Sequence, residues 1–569
     1  MWDREVDVLV FGSGAAGMTA ALVAANEGMN VLLCEKTSQI GGTTATSGGT
    51  IWVPGSSQSK SSARPSDIES ARRYLDDEVG NYSSPELRNA FLAAGGETLD
   101  YLEKNSEVKF KVSDPYPDYH PDRPGGALGG RALAPIEFDG KKLGKDFALL
   151  RPPMPEFMVL GGMMVGRDEI QYLIRPWASL KAFKLSVRRL WQYVTQRTTH
   201  RRGTRLLLGN ALSARLLFSL RQKGAEIAVN ASVVELIKNG NRVEGAAVRF
   251  GDSLQRVRAR RAVVLATGGC AASSKWRDKT MDVPVSHFLS FAANTGDAIE
   301  AAQAVGADID GNHNTPFFWM PASIMRWSDG RVATYPHIRD RPKPGLIAVN
   351  SAGRRFVNES NSYHDFVEAM FASHKQVPSI PAYLICDRGF IHDYGLGVIH
   401  PVWQNLSYFE KQGYVTSAPT LEALARKIKV DPAGLAESVA QHNRAAETGI
   451  DEAFGKGSTA MNRHNGDPEI KPNPCLRPIA KAPFYALPVY PAPIGSSIGL
   501  RTNGDAQVLD AANNPIDGLY ACGNDMSSIM GGLYPGPGIT LGPALVFAYR
   551  AVRHIADGAA AIPRQRLSA

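Results

Sequence analysis

The sequence predicts an α/β protein in which a discontinuous, doubly wound domain is interrupted by an α+β domain. The first observation is a strand, a glycine-rich turn, a helix and a second strand within residues 6–35. The second is that further apolar strands end in glycine near residues 265 and 521, whereas the segment between them is irregular and rich in Pro, Trp and His. We therefore expect nucleotide-binding parts at 1–273 and 482–569 and a substrate domain at 274–481.

The N-terminal elements form a dinucleotide-binding fingerprint. Residues 6–11 are apolar and β-branched, an Ala-rich helix is predicted over 18–27, and a second strand over 30–34 ends at Glu35. The turn between the first strand and the helix has the sequence Gly12-Ser13-Gly14-Ala15-Ala16-Gly17. This context, rather than the glycines alone, predicts a bound dinucleotide.

Each glycine of the fingerprint, and the acidic residue after it, has its own physical role. Gly12 allows a tight turn, Gly14 allows the backbone to approach a pyrophosphate, and Gly17 allows close packing of the helix. The helix N-terminus favours the phosphate charge, and Glu35 can accept hydrogen bonds from ribose hydroxyls.

Three more glycine-rich segments complete the expected cofactor site, and each taken alone could equally be a turn that ends a strand. Their candidate binding residues are Lys36, Gly41, Gly42, Thr43, Thr44, Ser47, Gly48 and Gly49, then Ala266, Thr267 and Gly268, and finally Gly523 and Asn524. Elements this far apart in the chain predict a large ligand that is surrounded by a discontinuous domain. In this order they resemble the FAD-dependent fumarate reductase and succinate dehydrogenase flavoprotein superfamily over nearly the whole chain. The resemblance implies a Rossmann-like FAD-binding domain, non-covalent FAD, Val233 near the adenine, and cofactor contacts from Gly538 and Leu541.

A loop near the C-terminus carries the candidate catalytic groups. Residues 531–544 include five glycines and three prolines, which disfavour both helix and strand. Tyr534 and the bare N–H of Gly538 would suit a carbonyl oxygen that becomes negative during reaction, although a simple turn is the alternative. The region has no cation to bind a dicarboxylate such as fumarate. The apolar cluster at 317–321 indicates instead a flat, hydrophobic ligand.

These features resemble the 3-ketosteroid Δ1-dehydrogenases. The resemblance implies that Tyr534 and Gly538 bind the C3 carbonyl, and that Tyr363, which follows an Asn-Glu-Ser segment, is the base for the C2 proton. Tyr119, in a Pro-Asp-Tyr segment, would hydrogen-bond the base, whereas the next residue, often a second tyrosine in relatives, is His120 here. The expected substrate-binding residues are Phe317, Phe318, Trp319 and Pro537.

The expected activity is FAD-dependent 1,2-desaturation of a steroid-like hydrophobic ketone, with proton abstraction at C2 and hydride transfer from C1 to flavin N5. An external, quinone-like electron acceptor is expected. One alternative is another oxidation or reduction beside a ketone, such as that of a 3-oxo-5α-steroid 4-dehydrogenase or a fumarate reductase-like ene reductase. A lipid carrier that retains the nucleotide loops without turnover is a third.

A basic insert at 149–202 is added to the minimal nucleotide-binding domain. Residues 167–223 hold thirteen Lys or Arg and two acidic residues. The net positive charge of this segment is therefore larger than the net charge of +8 for the whole chain. Because the excess of positive charge is confined to this segment and no known nucleic-acid-binding motif accompanies it, we expect no nucleic-acid partner. Apolar and basic residues recur at helical spacing over 177–194, which predicts an amphipathic helix that lies on a membrane, covers the core or contacts another subunit.

The cysteine content and the N-terminus predict where the protein resides. Five scattered cysteines without a CxxC pair argue against a disulfide framework or a structural zinc site, so no metal is expected. The first strand begins too early for a cleavable signal peptide. We therefore expect a cytoplasmic protein, with peripheral contact of residues 154–200 to the inner face of the membrane as one reading of the insert.

Overall fold

The computed structural model describes residues 1–61, 63–64, 67–166, 169–401 and 405–560. Two large sheets organise these residues: one has mixed, mainly parallel pairing at its centre, and the other is antiparallel. The expected α/β class is confirmed.

The first sheet brings strands from both ends of the chain together. In spatial order its main path runs Glu226–Val229, Val31–Glu35, Arg4–Phe11, Ser253–Leu265, Arg242–Phe250, Pro515–Ala521 and Gln507–Leu509, and Ala231–Asn239 pairs with Arg242–Phe250. The four strands that end at Phe11, Glu35, Leu265 and Ala521 are joined by parallel pairings. Their carboxyl ends therefore lie at one edge of the sheet, where doubly wound folds bind ligands.

Helix Ala15–Asn26 packs at the centre of the first domain. Its residues are buried from Ala15 to Ala24, and it contacts helices Leu208–Gln222 and Leu541–Ala560. A helix that is apolar all round is stable only when neighbours cover it on every side. The remaining elements up to residue 164 are Gly42–Thr46, Ile51–Trp52, Ser57–Lys60, Ile68–Val79, Gly80–Tyr82, Pro85–Asn105, Phe110–Val112, Ala132–Pro135, Phe138–Asp139, Gly140–Ala148, Pro155–Phe157, Met158–Val159 and Met163–Met164.

The second sheet forms the expected α+β unit. Its strands are Val332–Pro336, Phe317–Arg326, Phe484–Ser496, Ala382–Asp387 and Leu346–Val349, and Thr416–Ala418 pairs with Phe484–Ser496. Strand Phe484–Ser496 lies beyond the expected domain boundary at residue 481, so the second sheet extends past that boundary. The helices of this part are Ser274–Thr280, Asp297–Ala304, Tyr363–His374, Arg388–Tyr394, Leu406–Lys411, Leu421–Ile428, Pro432–Thr448 and Ala460–Asn465. Two short strand pairs lie outside the two large sheets: Arg205–Leu206 pairs with Phe138–Asp139, and Ile309–Asp310 pairs with Gly499–Leu500. The turn Gly523–Asp525 follows the first-sheet strand Pro515–Ala521.

The basic insert contains helices Ile170–Ile174 and Leu180–Arg197 and the turn Pro176–Ala178. The longer helix begins after Ser179, whose side chain accepts a hydrogen bond from the N–H of Ala182. Its apolar stripe is exposed to solvent, namely Leu180, Phe183, Val187, Leu190, Trp191 and Val194. The interpretation that this helix covers the core of its own chain is therefore wrong. Arg167, the first basic residue of the segment, lies outside the described residues.

Among the described helices, none has the length and apolar character needed to cross a membrane.

Candidate active site

The three predicted tyrosines lie against one another. The ring centroids of Tyr363 and Tyr534 are 5.1 Å apart, and the Tyr119 ring is 5.7 Å from each of them. Tyr119 stacks nearly parallel to Tyr534, whereas Tyr363 meets both rings edge-on. The three side chains come from chain segments that are far apart, so the tertiary fold alone creates this cluster.

The loop that carries Tyr534 is rich in glycine because other backbone segments lie against it. A Cβ on Gly538 would lie 2.4 Å from the carbonyl oxygen of Thr50, and one on Gly536 would lie 2.8 Å from the Trp52 ring. Gly538 also has φ +95°, a left-handed conformation that favours glycine. Its carbonyl accepts from the N–H of Trp52, while its half-buried N–H donates to no protein group within the described ranges.

Tyr119 is fixed through the same loop. Its N–H donates to the carbonyl of Pro535 at 2.8 Å, and the hydroxyl of Tyr74 donates to that carbonyl at 2.6 Å. The preceding Asp118 is buried and accepts from Trp52 Nε1 at 2.8 Å and from Arg131 Nη1 at 2.6 Å. Hydrogen bonds thus hold the Pro-Asp-Tyr segment in place, and the carboxylate of Asp118 positions Tyr119.

Tyr363 is the first residue of helix Tyr363–His374, and Ser362 caps that helix. The segment before it is held by a buried ion network: Glu359 pairs with Arg355 at 2.9 Å and with Lys456 at 3.3 Å. Burial alone would raise the pKa of Glu359, but the two cations hold it down at about 2. The glutamate of the Asn-Glu-Ser motif therefore has a structural task, because it fixes the turn that leads into Tyr363.

His120 lies between two carboxylates next to the tyrosines. Its Nδ1 is 2.6 Å from Glu78 Oε1, and its Nε2 is 2.9 Å from Asp365 Oδ2. Burial opposes the charged imidazole, but the two carboxylates raise the pKa of His120 to about 10. His120 follows Tyr119 and Asp365 follows Tyr363 by two residues, so this ion triad joins the two tyrosine segments.

Burial sets the protonation of the tyrosine cluster. It raises the pKa of Tyr119 and Tyr363 well above 10, with a further contribution from the neighbouring phenols, and it raises the pKa of Tyr534 to about 12. His364, whose ring centroid is 5.8 Å from that of Tyr534, is kept neutral because burial lowers its pKa to about 4. The cluster is therefore a set of neutral hydrogen-bonding groups, which suits a ketone better than a carboxylate.

The predicted substrate residues divide between two faces of strand Phe317–Arg326. Phe318 meets Tyr534 edge-on at 5.4 Å. Trp319 contacts Phe371 instead and donates its Nε1–H to Thr315 Oγ1 at 2.8 Å, and Phe317 packs against Trp319. Successive strand residues face opposite sides, so only Phe318 is placed against the tyrosines. Pro537 is buried within the Tyr534 loop.

The expected cofactor residues meet at the carboxyl edge of the first sheet. The N–H of Gly12 donates to Cys34 O at 2.8 Å, Ala266 N–H to Phe11 O at 2.8 Å, and Cys522 N–H to Leu265 O at 2.9 Å. These bonds place the turns after all four strands side by side. Asp525, which the sequence reasoning missed, accepts from the N–H groups of Thr267 and Gly269 and so joins the third turn to the fourth.

The glycines of this edge fit a dinucleotide. A Cβ on Gly12 would lie 2.2 Å from Ala266 O, and one on Gly17 would lie 1.9 Å from Gly12 O, so both are required by packing. A Cβ on Gly14 would meet its nearest atom only at 3.7 Å, one on Gly42 only at 3.9 Å, and one on Gly48 would meet nothing within 4 Å. The backbone is thus open where a pyrophosphate would lie, with the N-terminus of helix Ala15–Asn26 beside it.

Several other expected cofactor residues have partners within the protein. Lys36 forms an ion pair with Asp297. Thr43 Oγ1 accepts from Phe291 N–H at 3.0 Å, and Thr44 Oγ1 accepts from Ala15 N–H at 3.0 Å. Glu35 accepts hydrogen bonds from Ser13 and Thr37, and the Ser47 hydroxyl donates to Thr44 O within its own loop. A Cβ on Gly49 would clash with Gly209. Half-buried Val233 pairs with Val248 in the first sheet, and Leu541 is the first residue of the last helix.

Comparison with known proteins agrees with this geometry. A family model described as an FAD-binding domain matches residues 7–541. The chain belongs to this family. FAD is its cofactor, and the protein is an FAD-dependent oxidoreductase.

Relatives within the family place the chain more narrowly. It is 35% identical to the 3-oxosteroid 1-dehydrogenase of Mycobacterium tuberculosis strain H37Rv, with 98% of this chain and 99% of the relative covered. It is 37% identical to the 4-oxocyclohex-2-ene-1-carboxylate 5-dehydrogenase of Sinomonas cyclohexanicum, with 98% and 94% covered. The crystal structure of the 3-ketosteroid Δ1-dehydrogenase from Sterolibacterium denitrificans, bound to 1,4-androstadiene-3,17-dione, matches with TM-score 0.91, 34% identity, and 98% and 100% coverage. The resemblance read from the motifs is confirmed.

Sequence reasoning missed the groups that support the tyrosines. These are Glu78 and Asp365 around His120, Arg131 on Asp118, and Tyr116, whose hydroxyl interacts with that of Tyr119. Only one signal was available in the sequence, namely the departure from tyrosine at position 120. An imidazole in place of a phenol indicates a changed set of partners, but it does not identify them.

The His120 triad predicts a pH-dependent contribution to stability. Because the folded-state pKa of His120 is raised to about 10, its stabilising contribution is complete below the ordinary pKa of about 6.5 and is lost as pH rises through about 10. His120→Gln should destabilise the protein by roughly 3 kcal/mol near neutral pH. In thermal unfolding scans, the difference in Tm between wild type and variant should shrink as pH approaches about 10. An equal difference at every pH would contradict a charged His120.

Proposed function

We propose that this protein introduces a double bond between C1 and C2 of 3-ketosteroids, with FAD as the oxidant. The convergence of Tyr119, Tyr363 and Tyr534 carries the proposal. The N–H of Gly538, four residues after Tyr534, donates to no protein group in the described part of the chain. The full-length similarity to 3-oxosteroid 1-dehydrogenases supports the proposal. The neutral lining around Tyr534, with Phe318 and uncharged His364, also favours a hydrophobic ketone.

In the proposed mechanism the protein makes the C2 hydrogen acidic and removes it. The Tyr534 hydroxyl and the Gly538 N–H donate to the ketone oxygen, so that negative charge developing there is stabilised in a site with little water. Tyr363 takes the C2 proton in the small fraction of molecules in which it has lost its own proton to solvent, and a hydrogen bond from the Tyr119 hydroxyl supports that phenolate. The glycine-rich turns at the carboxyl edge of the first sheet would hold FAD, which would supply the two-electron acceptor for the hydrogen at C1.

A second candidate has a smaller substrate. The 37% identity to the 4-oxocyclohex-2-ene-1-carboxylate 5-dehydrogenase favours desaturation beside the ketone of a single oxidised ring. The same tyrosines would serve, since the reacting group is again a cyclic ketone. A ring carboxylate, however, needs a cation or several hydrogen-bond donors. The rings that contact Tyr534 within the described ranges are Phe318, Tyr119, Tyr363 and neutral His364, which supply no such charge.

A substrate panel tests the proposed function. We expect androst-4-ene-3,17-dione to bleach the bound flavin under anaerobic conditions, with the 1,4-diene as product by mass spectrometry and NMR. Bleaching by 5α-androstane-3,17-dione with formation of the 4-ene would favour the alternative regiochemistry. Bleaching by 4-oxocyclohex-2-ene-1-carboxylate alone would favour the second candidate, and no bleaching by any of the three would favour a carrier.

Removing the proposed base gives a second prediction. Tyr363→Phe should retain FAD and fold normally but lower kcat by roughly 10²–10⁴-fold, the usual contribution of a general base. Because burial raises the pKa of Tyr363, wild-type turnover should also increase from neutral to alkaline pH, and the variant should lack this increase. Stopped-flow flavin reduction at several pH values measures both effects. Near-normal turnover by Tyr363→Phe would remove it as the base.

We also propose that the exposed stripe on helix Leu180–Arg197 lies in a membrane interface. Leu180 and Trp191 are 69% and 70% exposed, and Lys184 and Arg188 lie beside the stripe. Apolar side chains flanked by cations are typical of helices that lie on anionic lipid. Such a position would place the enzyme next to both a sterol-like substrate and a lipid-soluble, quinone-like electron acceptor.

Liposome sedimentation tests the membrane proposal. The wild-type protein should pellet with anionic vesicles, and Phe183→Glu/Trp191→Glu should remain in the supernatant with unchanged steady-state turnover of soluble substrate. Lys223→Glu serves as a charge control, because Lys223 caps the C-terminus of a different helix, Leu208–Gln222, and its substitution changes the net charge by the same amount as the double variant. If wild type and the double variant pellet equally, the membrane proposal fails. If the double substitution instead converts a dimer to a monomer in sedimentation velocity, the stripe is a subunit contact.

A further inference from the structure

An arginine at the start of the basic insert lies against the cofactor loops. The N–H of Arg151 donates to Ile40 O at 2.9 Å, and Ile40 N–H donates to Leu149 O at 2.7 Å. This short parallel pairing holds Arg151 directly beside the glycine-rich loop that begins at Gly41. None of the segments that sequence motifs assign to FAD includes this residue.

The guanidinium of Arg151 is held in place without a carboxylate. Its Cζ lies 3.4 Å from the centroid of the Phe291 ring, and its Nη2 is 3.3 Å from Thr37 Oγ1. Its Nε is buried and has no hydrogen-bond partner among the described residues. No carboxylate oxygen lies within 4.0 Å of it in the part of the chain that the structure describes.

The surroundings of Arg151 belong to the nucleotide site on two sides. Thr37 donates its N–H to Glu35 Oε1 at 2.9 Å, and Glu35 is the expected ribose-binding carboxylate. Phe291 donates its N–H to Thr43 Oγ1 at 3.0 Å, in the loop expected to surround the cofactor. The arginine therefore lies between the residue at the end of the second strand and the glycine-rich loop that follows it.

Arg151 is half-buried and forms no ion pair with the described residues, so the accessible part of its guanidinium favours an anionic or strongly accepting partner; Nε itself is already enclosed by protein. Burial lowers the pKa of Arg151 because the charged guanidinium has lost contact with water. The negative charge of Glu35 raises this pKa, but by less than burial lowers it. The cofactor of this family carries its two negative charges on the pyrophosphate of its ADP half. We propose that Arg151 binds the ADP half of FAD, with its guanidinium on the pyrophosphate–ribose segment. This inference does not depend on the identity of the substrate.

The chain offers a matched control in Arg202. Its guanidinium also stacks on a phenylalanine, with Cζ 4.4 Å from the Phe147 centroid, and burial lowers its pKa to about 10. Arg202 differs because its donors are used within the protein, on Asn210 Oδ1 at 3.1 Å and on Leu150 O at 3.4 Å. A general effect of removing a buried arginine in this region would appear in both positions.

The test compares Arg151→Met, Arg151→Lys and Arg202→Met as full-length holoproteins. The temperature of flavin release is followed by flavin fluorescence, and the Kd of FAD is measured on the flavin-depleted full chain, with ADP as a competitor. We expect Arg151→Met to raise the Kd of FAD by about tenfold or more and the inhibition constant of ADP by the same factor. Arg151→Lys should be intermediate, because lysine keeps the charge but loses the planar pair of donors. Arg202→Met should change both constants by less than about twofold.

Three outcomes would overturn the proposal. The first is an unchanged Kd of FAD in Arg151→Met. The second is a weaker FAD affinity with an unchanged ADP constant, which would place the contact away from the ADP half. The third is an equal loss in Arg202→Met. If Arg151→Met does not fold, Arg151→Lys decides, since equal ADP constants for this variant and wild type would exclude a planar contact to the pyrophosphate.

Discussion

The close packing of the loop 531–542 on the segment around Trp52 is the constraint from which the rest of the site follows. A Cβ on Gly542 would lie 2.3 Å from Trp52 O, and one on Gly538 would lie 2.4 Å from Thr50 O, so no larger residue fits at either position. This contact joins the C-terminal part of the chain to the first domain. Because the carbonyl of Pro535 in the same loop holds Tyr74 and Tyr119, the loop also positions the second tyrosine.

The site separates its polar groups by charge. Around Tyr534, the rings in contact within the described ranges are two phenols, Phe318 and a neutral imidazole, and phenols can stabilise developing charge without binding a ground-state anion. The ionised groups lie on the segments that flank the tyrosines. There His120 forms ion pairs with Glu78 and Asp365, and Arg355 forms ion pairs with Glu359 and Asp451. There they hold backbone segments in place. Ionic interactions thus provide rigidity, while neutral donors are left for chemistry.

The sequence was sufficient for the fold class, the cofactor and the tyrosine segments, because each depends on a local pattern. The glycines of residues 12–17 and the strand that ends at Glu35 specify their own conformation, and the structure begins and ends these elements within three residues of the expected positions. The helix Leu180–Arg197 was likewise evident from its spacing, but its exposure was not, since periodicity identifies an apolar face without identifying what covers it.

The supporting contacts could not be predicted for a different reason. Glu78 and His120 are 42 residues apart, and Asp365 is a further 245 from His120, so no local pattern links them. The same holds for Phe318: residues 317–321 are continuously apolar, so no alternation in the sequence identifies the side chain that faces Tyr534. Long-range packing decides such details, and an isolated sequence does not encode them in any spacing.

The order of strands at the carboxyl edge of the first sheet also affects how the protein is made. The fingerprint turn emerges first from the ribosome, yet its neighbours after Leu265 and Ala521 come from the middle and the end of the chain. At roughly 5–20 residues per second, the complete edge exists only after about half a minute or more of synthesis. We therefore expect stable flavin binding only after the fourth of these strands has been synthesised.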